Sequence, residues 1–405
     1  MKFMPSTSTH SSFQIIVLDH HLENDQRIIR HIDYCKKKRI PIHRVRINLH
    51  NYLTNRESVD NEQYSSVDPP LKLKGGVINY IIVYIFLLFS PSIYYQIYKK
   101  IRTITGSGKE GIIFHIHDPF LLIYGVVFKI LLFKSSYIVF DRHEYYEKMR
   151  GLGKYCEKLT RFFIDGVILV TDNQINSTKS QIYNGINYII IPNYPNFDHN
   201  HDGTIREKIG SVLKTEQIHL VYIGSLSTKV DRDIFGLLRI YESLLEKYPE
   251  IYSTVGGSTS EPAILTLFDS LTVRFPGRFQ YTGYLSRDDV IKHILNAHLG
   301  FFLIDDTSPY WVSSNPNKVF DYLMYGVIPV IRANIDEHDT IKKCSLIFDR
   351  KDTYEKIIHD ISYLVENRES LKALMEETRS CSAFFSFESV EDRYMDLYNE
   401  VLSTL

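Results

Sequence analysis

NPNKVFDYLMYGVIPVI, residues 315–331, combines a helix start, a lysine, a carboxylate one turn later, a glycine stop and an apolar run that reads as a buried strand. Asn315 is placed to cap the helix. Pro316 suits the first helical position, where its missing N–H would be unpaired anyway, and Gly326 can close the helix in a left-handed turn. The first-turn N–H groups of such a helix lack partners inside it and carry partial positive charge, so this end is a ready anion site. Lys318 adds a full charge there. A cation at the positive end of a helix is mildly unfavourable unless an anion binds nearby, which points to a diphosphate. Three- and four-residue spacing predicts Lys318, Asp321, Tyr322 and Tyr325 on one face, with Val319, Phe320 and Leu323 on the other. A carboxylate at Asp321 can then accept hydrogen bonds from both hydroxyls of a ribose whose phosphates rest on the helix end. A plain surface salt bridge between Lys318 and Asp321 satisfies the same spacing.

Outward from this stretch, short apolar runs alternate with helical segments along the whole chain. FQIIVLD at 13–19, a helix from about Asp25 to Lys38 and then IHRVRI follow βαβ logic. Further strands are predicted at Gly111–His115, Tyr137–Asp141, Gly166–Thr171 and Tyr188–Pro192, which together make one doubly wound domain. IPNYPNFDHNHDGT, 191–204, is rich in Pro, Asn, Asp and Gly and marks a linker. The pattern then restarts, with strands at Ile218–Ile223, Ile251–Val255, Arg278–Tyr281, Leu299–Ile304, Val327–Ile331 and Ser345–Phe348. One amphipathic helix is expected from Phe387 to Leu402. The expected division is a first domain over 1–195, a second over 205–385, and a terminal helix over 386–405 that returns to the first.

A chain of 405 residues with 44% apolar content can fill two cores. Basic and acidic residues nearly cancel, 47 against 48, so no global field favours nucleic acid. Cys35, Cys156, Cys344 and Cys381 are far apart and form no C-x-x-C, which suggests neither a zinc site nor a disulfide framework and fits a reducing cytoplasm. MKFMPSTSTHSS lacks the apolar centre of a signal peptide, so secretion is not expected. Residues 77–98 carry no charge and lie between KLK and KKIR, but Ser90 and Pro91 interrupt the apolar run before it reaches the roughly 20 residues a span needs. FLLIYGVVFKILLF at 120–133 is similarly apolar beside Lys129 and Lys134. The two segments read either as buried helices of an α/β domain or as a monotopic face on anionic lipid.

The loop after the first strand, DHHLEND, contains no glycine, and the one G-x-G-x-x-G match, GSGKEG at 106–111, leads into a strand rather than out of one. Nicotinamide binding is therefore disfavoured. The chain also lacks a phosphate-loop motif, G-x-S-x-G and H-E-x-x-H. DRD at 231–233 has the spacing of a metal-binding pair, but Asp there also simply caps a helix. FHIHDPF, 114–120, ends one strand and places His115, His117 and Asp118 at the carboxyl edge of the sheet, where doubly wound folds bind ligands. VFDRHEYY, 139–146, brings Asp141, Arg142, His143 and Glu144 to the same edge. His117 satisfying a turn carbonyl and Asp118 capping a helix are the structural alternatives. In the second half, GSLSTKVDRD at 224–233 opens with Gly224 and Ser225 in a small-residue loop and carries Lys229 and Arg232. A diphosphate can sit between these cations and Lys318.

These residues resemble the retaining family 4 glycosyltransferases of the GT-B fold, particularly enzymes of bacterial polysaccharide assembly. The resemblance runs from IIVLDHHLENDQRIIRHIDYC through HIHDP, DRHEYY, PNYPNF, YIGSLS and YTGYL to NPNKVFDYLMYGVIPVI. It implies two Rossmann-like α/β domains facing a central cleft. It implies donor contacts from Gly224, Ser225, Lys229, Ser313, Ser314, Asn315, Pro316 and Asn317, with Lys318 and Arg232 at the phosphates, Asp321 on the ribose, and Tyr284 with Leu285 bordering the base. His117 matches the family histidine near the reacting sugar. His20, His21, Asp118, Asp141, His143 and Glu144 fall on the acceptor side. The chain departs from the pattern in three places: Asp321 is one methylene shorter than the usual glutamate, Ser313 stands at its acidic partner's position, and His20 to Asn24 replace the glycine loop.

The implied activity moves a sugar from a UDP- or GDP-sugar to a glycan or polyprenyl-linked acceptor, with retention, no metal and no other cofactor. The expected location is cytoplasmic, peripheral on the inner face of the membrane, without nucleic-acid partners. Negative charge building on the leaving diphosphate is the main barrier, and fixed cations with helix N–H groups stabilise it. The leaving oxygen can take the acceptor proton, and closure about the linker would exclude water. A catalytically silent GT-B protein that binds a glycan or partner enzyme, and a sugar-nucleotide epimerase, are the alternatives.

Overall fold

The computed structural model describes residues 13–21, 25–47, 64–67, 90–106, 111–142, 152–171, 174, 185–228, 232–305, 316–334 and 338–403. They form two compact units, one drawn from the chain up to Ile191 and from Glu391 onward, the other running Pro192–Val390.

Unit 1 contains β1 (Phe13–Asp19), α1 (Gln26–Lys37), β2 (Ile42–Ile47), β3 (Tyr64–Val67), α2 (Pro91–Thr105), β4 (Gly111–Ile116), α3 (Leu122–Leu131), β5 (Ser136–Arg142), α4 (Leu152–Thr160), β6 (Gly166–Leu169) and β7 (Asn187–Ile190). The strands form one sheet in the order β3-β2-β1-β4-β5-β6-β7, every pair parallel. Near-continuous apolar strands such as FQIIVLD suit such a sheet because helices cover both faces. The faces alternate by residue. Ile112, Phe114 and Ile116 of β4 pack with Ile93, Ile97 and Ile101 of α2 and with Leu122 and Phe128 of α3. His115, between them, turns to the opposite face, where Tyr398 of the last helix bonds it.

Unit 2 contains α5 (Asp202–Ser211), β8 (Ile218–Ile223), α6 (Ile234–Lys247), β9 (Ile251–Gly256), α7 (Pro262–Arg274), β10 (Phe279–Gly283), α8 (Arg287–Asn296), β11 (Leu299–Leu303), α9 (Asn317–Met324), β12 (Ile328–Arg332), α10 (His338–Ile341), β13 (Leu346–Phe348), α11 (Tyr354–Glu366) and α12 (Arg368–Cys381). Its sheet runs β10-β9-β8-β11-β12-β13, again parallel. The chain then rejoins unit 1 as α13 (Arg393–Ser403). Strand order reverses beside β1 in unit 1 and beside β8 in unit 2, and the crevices that bind ligands in doubly wound sheets open at such points.

The structure corrects four expectations. The predicted terminal helix is split into a 3₁₀ turn at Phe387–Ser389, closed by the Val390 amide on the Phe387 carbonyl at 3.0 Å, and α13. β3 was not anticipated, its four residues YSSV being too short and polar to show a period. Tyr322 and Tyr325 do not share an open face with Lys318. Tyr322 is fully buried, its ring lying 2.6 Å from where a Cβ on Gly300 would stand, and Tyr325 points its hydroxyl at Asp198 (2.9 Å). α9 packs across both β11 and β12 on one face of the sheet, so its buried stripe is wider than spacing alone implies. Lastly, α9 begins at Asn317, with Pro316 as an extended cap residue (φ −82°, ψ 119°) rather than the first helical one. The apolar run 77–89 lies outside the described residues, and α2 starts just after it at Pro91. No described helix is long and apolar enough to cross a membrane.

Gly326 ends α9 with φ +63°, as its position in the sequence requires, and a Cβ there would stand 3.0 Å from Ile205 Cγ2. Gly326→Ala is expected to lower stability by about 1–2 kcal/mol through left-handed strain alone. The urea midpoint measures it, and an unchanged midpoint would contradict this account of the cap.

Candidate functional site

Three adjacent strands of unit 2 finish in glycine at one edge: Gly224 after β8, Gly256 and Gly257 at the end of β9, and Gly283 at the end of β10. Gly224 N–H donates to the Gly256 carbonyl (2.9 Å) and Gly257 N–H to that of Gly283 (2.8 Å). A Cβ on Gly257 would fall 2.0 Å from the Gly224 oxygen, and one on Gly224 would fall 2.1 Å from Lys318 Nζ. The bare backbone therefore lets the Lys318 ammonium settle directly on the loop. The same ammonium lies 4.3 Å from the Tyr222 ring centroid, a cation–π contact that fixes its stem. Tyr222 in turn donates to the Ser225 carbonyl (2.6 Å), and Glu261 accepts from Ser227 Oγ (3.0 Å), Thr228 N (3.1 Å) and Thr228 Oγ1 (2.5 Å). The described part of the loop after β8 is thus held at Ser225 and again at Ser227 and Thr228.

α9 starts at this edge, so Pro316, Asn317 and Lys318 lie where its first-turn amides can meet an anion. Asp321 is paired with Arg287 of α8, Nη2 to Oδ1 at 3.0 Å and Nη1 to Oδ2 at 3.2 Å. Burial alone would lower the Arg287 pKa, but the bonds and charge of Asp321 outweigh it and hold the guanidinium above its ordinary value. Each carboxylate oxygen keeps acceptor capacity beyond this fork. Arg232 bridges to Ile304 just past β11, with its guanidinium carbon 5.0 Å from the Phe302 ring centroid. Leu285 reaches Gly256, and Tyr284 is 82% exposed. Asp233 of the DRD triplet caps α6 by accepting from Gly236 N (2.9 Å) and also accepts from Tyr354 Oη (2.5 Å), so it serves the fold. Lys229, Asp231, Ser313, Ser314 and Asn315 lie outside the described residues. A cavity of about 620 Å³, lined by Lys208, His219, His293 and His298, lies at the opposite, amino-terminal edge of this sheet.

In unit 1 the carboxyl ends of β1, β4 and β5 gather a buried polar cluster. Asp141, fully buried, receives Arg27 Nε (2.9 Å) and Nη2 (2.8 Å), while His117 Nδ1 and His115 Nε2 stand 3.4 and 3.6 Å from its Oδ2. Arg27 also donates to the Ile191 carbonyl (2.9 Å). A chain of contacts continues away from the edge, His115 Nδ1 to Tyr398 Oη at 2.8 Å and Tyr398 Oη to His31 Nε2 at 2.6 Å. Nearer the surface His20 Nε2 meets Asp118 Oδ2 at 2.9 Å, and His21 Nδ1 lies 3.5 Å from Asp25. Asp118 also accepts from Phe120 N (3.2 Å), so it closes the turn before α3 as well. Two groups have ligand atoms within 4.8 Å of one another and are thereby able to hold a metal: His31 with His115 and His117, and His20 with His21 and Asp118. His143 and Glu144 lie outside the described residues.

The structure thus gathers His20, His21, His117, Asp118 and Asp141 at one edge of unit 1. It gathers Gly224, Ser225, Arg232, Leu285, Lys318 and Asp321 along one edge of unit 2. Sequence reasoning missed Arg27, His31, Tyr398, Arg287 and Glu261. Arg27 left one signal, a charge on the buried stripe of an amphipathic helix, which demands a partner.

No protein-family model and no curated protein matches the chain. Solved structures match over nearly its full length. They include the N-terminal domain of trehalose-6-phosphate phosphatase from Candida albicans, at 11% identity over 96% of this chain and 97% of that one, TM-score 0.67. HepE of Anabaena in complex with UDP matches at 10% identity over 95% and 99%, TM-score 0.68. Sucrose-phosphate synthase of Thermosynechococcus elongatus matches at 11% over 97% and 100%, TM-score 0.66. The chain has the GT-B fold. The family resemblance read from the sequence agrees at the level of this fold.

Removing one member of a buried ion pair strands the other. Asp141→Leu is expected to lower stability by about 3–5 kcal/mol, and Arg27→Met with Asp141→Leu to recover much of that loss. Urea unfolding of both single variants and the double variant checks it; a double-variant loss equal to the sum of the two single losses would deny that the pair is coupled.

Burial alone would raise Asp141, but Arg27 and His117 hold it well below the carboxylate range, so its contribution is present above about pH 4 and is lost as pH falls through its folded value. Burial lowers His31 and His115, and pushes His298 down to about 3. The unfolded chain therefore takes up protons near pH 6.5 that the folded one declines, and stability drops as pH falls below that value. The melting temperature is expected to decline between about pH 7 and pH 5, ahead of carboxylate titration, and less steeply in His298→Asn. A flat profile across that interval would contradict the burial of neutral imidazoles.

Proposed function

We propose that this protein is a retaining glycosyltransferase that takes a sugar from a nucleotide-sugar donor and passes it to a glycan or lipid-linked acceptor in cell-surface polysaccharide synthesis. The observation that carries the donor reading is Lys318 resting on the glycine backbone at Gly224 beside the start of α9. A diphosphate there meets one ammonium, first-turn amides and the Arg232 guanidinium, fixed charges that need little rearrangement as the leaving group becomes more negative. Asp321, oriented by Arg287, is positioned to accept from the ribose. One neighbour of this fold, HepE of Anabaena, was solved with UDP and with UDP-glucose, which supports the same donor class here.

In this reading sugar and acceptor react on the face from which the diphosphate departs, and the departing oxygen takes the acceptor proton. No protein nucleophile and no metal is required. His117 belongs beside the reacting carbon, its ring turned by Asp141. A catalytically silent GT-B protein is the second reading, favoured by Ser313 at the acidic position and by the glycine-free loop from His20 to Asn24. Release of free or transferred sugar from any nucleotide sugar excludes it, and an epimerase is separated by recovery of an isomeric nucleotide sugar.

Lys318→Met is expected to lower turnover by about 10²–10³. Asp321→Ala should raise the donor Kd by roughly 10-fold or more, as loss of hydrogen bonds to a charged group does. His117→Ala should reduce turnover more than affinity. Steady-state kinetics with calorimetric Kd values separate these. Unchanged turnover in Lys318→Met would remove the phosphates from α9, and unchanged turnover in His117→Ala would remove His117 from the reacting carbon.

A further inference from the structure

Large apolar side chains are exposed together on one side of unit 1, with cations between them. On α4 and the 3₁₀ turn Arg161–Phe163 that follows, Leu159 and Phe162 are 72% and 78% exposed, with Tyr155 beside them. α3 packs against α4 and ends in Ile130, Leu131 and Leu132, with Leu131 68% exposed. Lys129 of α3 reaches across to the Phe163 carbonyl at 3.2 Å, which ties the two patches together. Leu131 and Leu132 also wall an open groove of about 510 Å³ whose other side is Pro91, Tyr95 and Tyr98 of α2. Burying such groups in water-excluding surroundings is favourable, and patches of this kind mark interaction sites.

The charge on this side is one-sided. α2 contributes Lys99, Lys100 and Arg102 and no acid; the turn after α3 contributes Lys134, while Lys129 of α3 is paired with Asp165 at 2.5 Å and adds no net charge. α4 and its following turn add Lys154, Lys158 and Arg161, against Glu157, which is buried and held by Arg142 at 2.6 Å. In a chain with 47 basic and 48 acidic residues, this local excess is a distribution, not a consequence of overall charge.

We propose that the face formed by α2, the end of α3, and α4 with its following turn is a docking surface for an anionic lipid bilayer. Aromatic and leucine side chains enter the boundary between headgroups and acyl chains, while lysine stems lie along the apolar surface and deliver their ammonium groups to lipid phosphates. A second copy of the chain is the weaker occupant, because a two-fold contact would set this cation set against itself. The inference concerns where the protein works. It is independent of the donor and acceptor readings, so either can fail without the other.

The test is sedimentation of the whole protein with vesicles of phosphatidylcholine alone or mixed with phosphatidylglycerol, in low and high salt and without any nucleotide. The expected result is binding to the mixed vesicles, weakened by salt, and reduced at least tenfold in Leu159→Ser with Phe162→Ser and in Lys154→Glu with Lys158→Glu. These positions are exposed, so both double variants should keep the parent melting temperature and circular dichroism. Absence of binding to mixed vesicles, equal binding to neutral ones, or binding unaffected by both variants would overturn the proposal. So would ultracentrifugation showing a dimer without lipid that the same variants dissolve.

Discussion

Backbone without side chains at the end of β8 and β9 is the constraint from which the site in unit 2 follows. A Cβ on Gly257 would strike the Gly224 carbonyl, and the space a Cβ on Gly224 would need is filled by the ammonium of Lys318. The lysine stands in the first turn of α9, where its charge adds to the helix dipole instead of opposing it. Such a concentration of positive potential is unfavourable in isolation and is relieved by a bound anion. Around it the fold supplies rigidity: Tyr222 under the lysine, Glu261 behind the loop, Arg287 on Asp321. Groups held this way stabilise developing charge without first having to be ordered.

Unit 1 solves a different problem, that of keeping polar groups inside. Asp141 sits at the end of a fully buried strand, and its charge is tolerable because Arg27 brings a fork of donors from α1. The imidazoles of His31 and His115 are held neutral by burial and linked by the Tyr398 hydroxyl. That hydroxyl comes from α13, the last helix of the chain, so the end of the sequence completes the interior of the unit that the beginning starts. The edge that carries His117 and Asp118 is therefore supported from a segment far away in sequence.

Most of the strands were legible because buried parallel strands are written as unbroken apolar runs, and β1, β8 and β11 stand out on that basis alone. The glycine stop at Gly326 and the turn of the site loop at Gly224 were equally readable, since each needs a residue without a Cβ. What could not be read were partners. Nothing in SRDD indicates that Arg287 reaches α9, and nothing in the spacing of Tyr322 tells whether its ring faces solvent or lies over Gly300. Pair identity depends on how elements pack, which local periodicity does not encode. β3 was lost for the reason that four mixed residues carry no period, and the break before α13 because the apolar spacing runs on through the short 3₁₀ turn at Phe387–Ser389.

A crystal structure of the protein with a nucleoside diphosphate tests the central claim most directly. The account predicts diphosphate oxygens within about 2.7–3.2 Å of Lys318 Nζ and of the first amides of α9, over the Gly224 backbone. A nucleotide bound instead in the cavity beside Lys208 and His298, with Lys318 untouched, would contradict it.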